Sequence, residues 1–273
     1  MKKNKILVFC DDLTGCGDIA YWALALNLDF LKQKSINFDY LKNIDLDLKN
    51  FLKDYDIFII NTESRSDNEK ILKNKMNIII DFLQNNEFYK NFEFIFKKID
   101  STLRGNFALE INEMIEKFDM NFVPFIAAYP EYDRFTRNGY HYINNVLLQD
   151  TIFAKDPKNP IKESKISTII YNQLGLSKNL KKFEIYDVQN FYELEKNVKS
   201  ILEKENRNIK FYAGSSRFFG EILKQKQKFY TKIAKKCNFF IQNKNNSRNK
   251  KYENFLVIAG SFNEQTKSQL QYF

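Results

Sequence analysis

Short apolar runs alternate along this chain with longer stretches in which apolar residues recur every three or four positions. The runs cover 5–9, 56–60, 94–99, 122–126, 183–188, 209–213 and 255–258. They are rich in Ile, Val and Phe, a composition that fits a pleated, buried surface, so each predicts a strand. The helical spacing covers 19–28, 68–83, 108–118, 192–204 and 217–226, and most of these stretches directly follow a run. Strand–helix alternation of this kind predicts the α/β class, a largely parallel sheet flanked by helices. The chain shows no internal repeat. All four prolines fall between 124 and 160, which predicts a long structured loop there rather than a helix or a strand pair.

Polar chemistry gathers where runs give way to helices. Cys10-Asp11-Asp12-Leu13-Thr14-Gly15-Cys16-Gly17-Asp18 follows the first run and Asn61-Thr62-Glu63-Ser64-Arg65 the second. Lys97-Lys98-Ile99-Asp100-Ser101-Thr102-Leu103-Arg104-Gly105-Asn106 surrounds the end of the third. In a parallel sheet such turns share the carboxyl edge of the strands, where ligands bind. Three successive turns bearing carboxylates or an arginine predict one convergent site. Asp11 and Asp12 suit a hydroxyl group, and Arg104 suits a carboxylate or phosphate. The simpler alternative is local capping. Asp18 would start the first helix, one of Asp100, Ser101 or Thr102 the third, and Ser215 or Ser216 the helix after 213.

These residues resemble the four-carbon acid sugar kinase family. The family's Asp-Asp-x-Thr-Gly stands at Asp11 to Gly15, and its Asp-Ser-Thr-Leu-Arg-Gly-Asn at Asp100 to Asn106. Its Gly-Arg-x-Thr…Gly-Tyr-His-Tyr segment stands at Asp133 to Tyr142, with Asp133 in place of the usual glycine. Its Asp-Pro-x-x-Pro stands at Asp156 to Pro160, and its Gly-Ser…Thr…Gln at Gly260 to Gln269. The resemblance implies ATP-dependent phosphorylation of a hydroxyl on a small sugar acid, with magnesium accompanying the nucleotide. It implies substrate contacts from Asp12, Arg65, Asp100, Ser101 and Thr102, to which the residue chemistry adds Arg104. Ser261 would contact ATP. Asp12 is the first choice for orienting the acceptor hydroxyl, and Asp100 the second.

Members of the family continue into a second α/β domain with a glycine-rich phosphate loop. The resulting expectation is a sugar-acid-binding α/β domain over 1–241, a basic linker over 242–253, and the beginning of a nucleotide-binding domain over 254–273. A chain so divided is expected to have little or no kinase activity alone, and its last segment to be disordered, to pack on the first domain or to associate with another chain, a second copy included. A non-catalytic ligand-binding protein or decayed kinase is the competing reading. A haloacid dehalogenase-type phosphatase would need a nucleophilic Asp where this chain has Cys10.

Composition narrows the remaining classes. No apolar run approaches the ~20 residues of a membrane span. The run after the basic start, 6–10, is shorter than the ~7–15 residues of a signal-peptide core. Three cysteines without paired or metal-ligand spacing, and a lone His141, predict a reduced cytoplasmic setting and no metal centre. The net charge is +9. Residues 224–252 contribute nine lysines and Arg248 with no Asp or Glu, so the rest of the chain is close to neutral. No nucleic-acid recognition motif accompanies that stretch, and it is read as a solvated helix and linker.

Overall fold

The computed structural model describes residues 5–26, 33–37, 55–85, 88–204 and 210–237. Contacts divide the chain into a compact unit, Met1–Ala234, and a second unit, Lys235–Phe273. Nearly all of the second, including the expected linker, the 255–258 strand and Ser261, lies outside the described residues.

Seven strands form one sheet. They are β1 (Lys5–Cys10), β2 (Gln33–Asn37), β3 (Ile57–Asn61), β4 (Phe92–Lys98), β5 (Val123–Ile126), β9 (Phe183–Ile185) and β10 (Lys210–Gly214). The order is β2-β3-β1-β4-β10-β5-β9, and every pairing is parallel. This is the predicted α/β architecture. The chain first steps from β1 to one side, then returns past it to β4. The topological switch, where open sheets of this kind bind ligands, therefore lies between β1 and β4.

Both faces of the sheet are covered, which explains the unbroken apolar runs. Leu7 and Phe9 of β1 point to one face, beneath α2 (Glu69–Asn85), α3 (Phe107–Lys117) and α4 (Ile166–Leu174). Ile6, Val8 and Cys10 point to the other, beneath α1 (Leu13–Ala25), α5 (Phe191–Glu203) and α6 (Ser216–Cys237). Each helix sets an apolar stripe against the sheet: Leu72, Met76, Ile79 and Leu83 from α2, and Leu194, Val198 and Ile201 from α5. The Asn190 side chain caps α5 by accepting from Glu193 N–H at 2.9 Å. Ser215 caps α6, its Oγ accepting from Phe218 N–H at 3.3 Å, as one of the capping alternatives predicted.

Gly214 ends β10 against β5. A Cβ there would stand 2.2 Å from the Ile126 carbonyl oxygen and 2.8 Å from a ring carbon of Phe218. The first neighbour is backbone and cannot swing away. Gly214→Ala is therefore expected to destabilise the domain by about 1–3 kcal/mol, read as a lowered urea midpoint at unchanged slope.

The proline-bearing segment departs from the sequence reading. It is not simply a loop, because β6 (Arg134–Arg137), β7 (Tyr140–Ile143) and β8 (Val146–Leu147) form a three-stranded antiparallel sheet. Asn138-Gly139 and Asn144-Asn145 turn the corners, all four with positive φ. Two-residue turns of that geometry match the twist of the flanking strands. Asp133 is also left-handed, at φ 50°, which accounts physically for the family's preference for glycine at that position.

Candidate functional site

The carboxyl ends of β1, β3 and β4 are level, since Cys10 pairs with both Asn61 and Lys98. The three polar turns therefore leave the sheet side by side. The β3 turn is tied to the β1 turn through its backbone. Ser64 and Arg65 N–H groups both donate to the Asp11 carbonyl, at 3.1 and 3.3 Å. Gly105, at φ 86°, lets the β4 turn close on Arg65, whose carbonyl oxygen would be 3.2 Å from an added Cβ.

Arg65 holds two aspartates. Its Nε and Nη2 donate to the two carboxylate oxygens of Asp11 at 2.8 and 3.1 Å, the fork geometry that suits a guanidinium. Its Nη1 lies 2.6 Å from Asp12 Oδ2. Burial alone would lower the Arg65 pKa, but Asp11, Asp100 and Asp12 raise it overall. Asp12 is also the N-cap of α1, its Oδ1 accepting from Gly15 N–H at 2.7 Å. Its Oδ2 accepts from the Thr14 hydroxyl. The helix thus starts at Leu13 rather than at Asp18. Asp12 is the more open of the two carboxylates, with 24% of its side chain exposed against 4% for Asp11.

The β4 turn gathers the remaining predicted residues. Asp100 Oδ2 accepts from Thr102 Oγ1 at 2.6 Å and from Arg104 Nε at 2.5 Å. Arg104 Nη1 donates to Asp156 Oδ2 at 3.1 Å. None of Asp100, Ser101 or Thr102 caps α3, because that helix begins beyond Asn106. Burial pushes the Asp100 carboxyl up, but Arg104, Arg65 and the Thr102 hydroxyl outweigh it and hold the pKa at about 2. The carboxylate is ionised throughout the neutral range.

The β6–β7 sheet braces this turn from outside. Its His141 is fully buried, with Nε2 2.9 Å from the Ser101 carbonyl and Nδ1 3.1 Å from Thr136 Oγ1. A carbonyl can only accept, so Nε2 carries the proton and Nδ1 accepts from Thr136. Burial, helped by Arg134, lowers the His141 pKa to about 4 against the pull of Ser101. The ring is neutral and serves as a strut. Arg134 Nη1 donates to the Ser101 hydroxyl.

Below the edge lies a buried ion pair. Lys97 and Glu110 of α3 are 0% and 1% exposed, with Nζ and Oε2 3.0 Å apart. Ser64 and Thr62 donate to Glu110 Oε1 at 2.6 and 3.2 Å. The neighbouring Lys98 points to the opposite face, 3.4 Å from Asp18.

The structure thus brings Asp12, Arg65, Asp100, Ser101, Thr102 and Arg104 to one sheet edge. Ser261 lies outside the described residues. Among the described residues no group of three His, Cys, Asp or Glu side chains could hold a metal ion, and no helix is long and apolar enough to cross a membrane. Sequence reasoning read His141 as a hydrogen-bonded residue rather than a base, and assigned no role to Arg134, Asp156 or the Lys97–Glu110 pair. Arg134 and Asp156 lie within segments that carried the family resemblance, which was the available signal; Lys97 and Glu110 lie outside them.

The family model of the sugar-binding N-terminal domain matches residues 6–215. D-threonate kinase of Salmonella typhimurium is 40% identical over 76 residues, which are 28% of this chain and 18% of that protein. D-erythronate kinase of Heliobacterium modesticaldum is 36% identical over 78 residues, again 28% and 18%. 3-oxo-tetronate kinase of Brucella melitensis is 26% identical over 166 residues, 61% and 36%. The chain therefore spans roughly a fifth to a third of the length of these relatives. A Bordetella bronchiseptica domain, solved with bound citrate as a domain-swapped dimer, superposes with a TM-score of 0.63 at 20% identity, covering 80% of this chain and 55% of that one. A Haemophilus influenzae protein superposes at 0.65 with 18% identity and the same coverage. Matched over residues 6–215, this chain belongs to the family of sugar-binding N-terminal domains, with four-carbon acid sugar kinases among its relatives.

Proposed function

We infer that this chain binds a four-carbon sugar acid at the edge formed by β1, β3 and β4, as the acceptor-binding part of an ATP-dependent kinase. The observation that carries this reading is the convergence of Asp11, Asp12 and Arg65 with Asp100, Thr102 and Arg104 at the topological switch of the sheet. Fixed carboxylates and guanidinium groups suit a ligand bearing several hydroxyls and one acid group. The kinases named among the relatives support this, and so does the citrate, itself an acid, in the Bordetella neighbour.

Phosphoryl transfer depends on positioning more than on covalent work by the protein. Asp12, held by Gly15 N–H and Arg65 and partly open, orients the acceptor hydroxyl and accepts its hydrogen bond. Asp100, ionised at neutral pH, receives a second hydroxyl and is too weak a base to draw a proton far. The donor implied by the resemblance is magnesium-ATP, which supplies the phosphoryl group. No described residue is assigned to it.

Calorimetric titration of the purified chain with D-threonate, D-erythronate and 3-oxo-tetronate tests the reading, beside a coupled ADP-release assay for turnover. Binding of at least one acid is expected, weakened about tenfold in Asp12→Asn through loss of a charged acceptor. Absence of binding across the panel would remove the assignment. Turnover would decide between the kinase and a ligand-binding protein without catalysis.

A further inference from the structure

Three guanidinium groups reach this edge, and their charges are balanced differently. Arg65 carries two carboxylates, Asp11 and Asp12. Arg104 carries two as well, Asp100 and Asp156. A further anion arriving at either would meet a centre whose charge is already more than neutralised. Arg134 differs. Among the described residues its guanidinium's one hydrogen bond is to the neutral Ser101 hydroxyl, and no carboxylate lies within ion-pair reach of it. Its Nε is buried without an acceptor, and its guanidinium lies over the Tyr132 ring, 5.5 Å from the centroid.

A half-buried cation with a buried unsatisfied donor is costly unless something supplies the missing acceptor. Its surroundings press it in that direction. Burial and nearby Arg104 lower the Arg134 pKa, with Asp100 only partly opposing them. A carboxylate has the sign, planarity and paired acceptors that suit a guanidinium fork. Ser101 fixes that fork beside the Asp100 turn, so an acid group on Arg134 would leave its hydroxyls facing Asp100 and Asp12.

We propose that Arg134 is the residue that reads the acid group of the substrate, leaving Arg65 and Arg104 to hold the aspartates that read its hydroxyls. The proposal rests on the sugar-acid reading of the site. It makes Arg134 the determinant of acid over polyol.

The test is calorimetric titration of the full chain with D-threonate and D-erythronate, beside the uncharged tetritols threitol and erythritol. The variants are Arg134→Met and Arg134→Lys, with thermal midpoints measured in parallel. The wild-type chain is expected to prefer each acid over its tetritol. Arg134→Met is expected to lose about ten- to a hundredfold in acid affinity while tetritol affinity holds. Arg134→Lys, which keeps the charge but not the fork, is expected to retain part of the preference. A merely structural role would weaken acid and tetritol together, and that outcome overturns the proposal. So does an Arg134→Met chain that keeps its preference. Should that variant fail to fold, an Arg134→Lys chain binding the acid as tightly as wild type overturns it. A wild-type chain that binds acids no better than tetritols ends this proposal and leaves the sugar-binding site standing. One that binds neither ends both.

Discussion

Replacing Lys97 by Met is expected to cost about 3–5 kcal/mol of folding stability, the ordinary penalty for leaving a buried charge without its partner. Glu110 would remain fully enclosed with only the Ser64 and Thr62 hydroxyls to receive. Burial already pushes the Glu110 carboxyl up, and Lys97 is the main group holding it down. The variant should therefore protonate Glu110 on folding. A folded-state pKa raised above the unfolded value means that the native state binds the extra proton, so stability falls as pH rises through that range. Urea denaturation at pH 5 and pH 8 should show the variant more damaged at pH 8. The double variant Lys97→Met with Glu110→Leu should recover most of the loss, since an apolar pair of similar volume needs no compensation. An undamaged single variant would show that the pair is not closed off from water.

The second large effect is at Asp100. Its pKa of about 2 against an ordinary 3.8 corresponds to about 2.5 kcal/mol of stability. For a carboxyl lowered in the folded state, that contribution is complete above about pH 5 and is lost as pH falls through about 2. Asp100→Asn should remove it at neutral pH and flatten the acid limb of the stability curve. It also leaves the Arg104 Nε hydrogen bond without its anionic acceptor and the Ser101–Thr102 turn without its anchor. Sugar-acid affinity should fall with it, by about ten- to a hundredfold for loss of the charge-assisted bond to one hydroxyl. Thermal melts from pH 3 to 8, beside calorimetry at pH 7, check both parts. A variant with wild-type acid behaviour would mean that Arg104 and Arg65 do not act on this carboxylate.

What was legible in the sequence follows from burial. Strands β1, β3 and β4 are covered on both faces, so their apolar runs are unbroken and the polar residues at their ends stand out. That contrast pointed to the three polar turns, and the family resemblance singled out Asp12, Arg65 and Asp100 within them. The start of α1 was misplaced because Leu13-Thr14-Gly15 lacks helical apolar spacing. What starts that helix is the Asp12 carboxylate on Gly15 N–H. The hairpins were hidden by the surrounding prolines, although Asn138-Gly139 is a strong turn signal in its own right. Strand β2 carries polar residues and stands at the sheet edge, where no apolar run is required. Helix α4 had its Ile166, Ile169 and Ile170 stripe in plain view, but no side-chain cap marks its start. Which distant carboxylate Arg65 and Arg104 carry could not be read. Arg65 and Asp11 are 54 residues apart, and Arg104 and Asp156 are 52 apart.

Those separations bear on how the chain assembles. The backbone bonds from Ser64 and Arg65 to the Asp11 carbonyl close a loop of more than fifty residues, and such closure is slow relative to helix formation. They form only when β1 and β3 have docked in their final register, and they are released only when those strands part. Exchange of these two amides with solvent deuterium is therefore expected to follow opening of the central sheet rather than fluctuation of the turn.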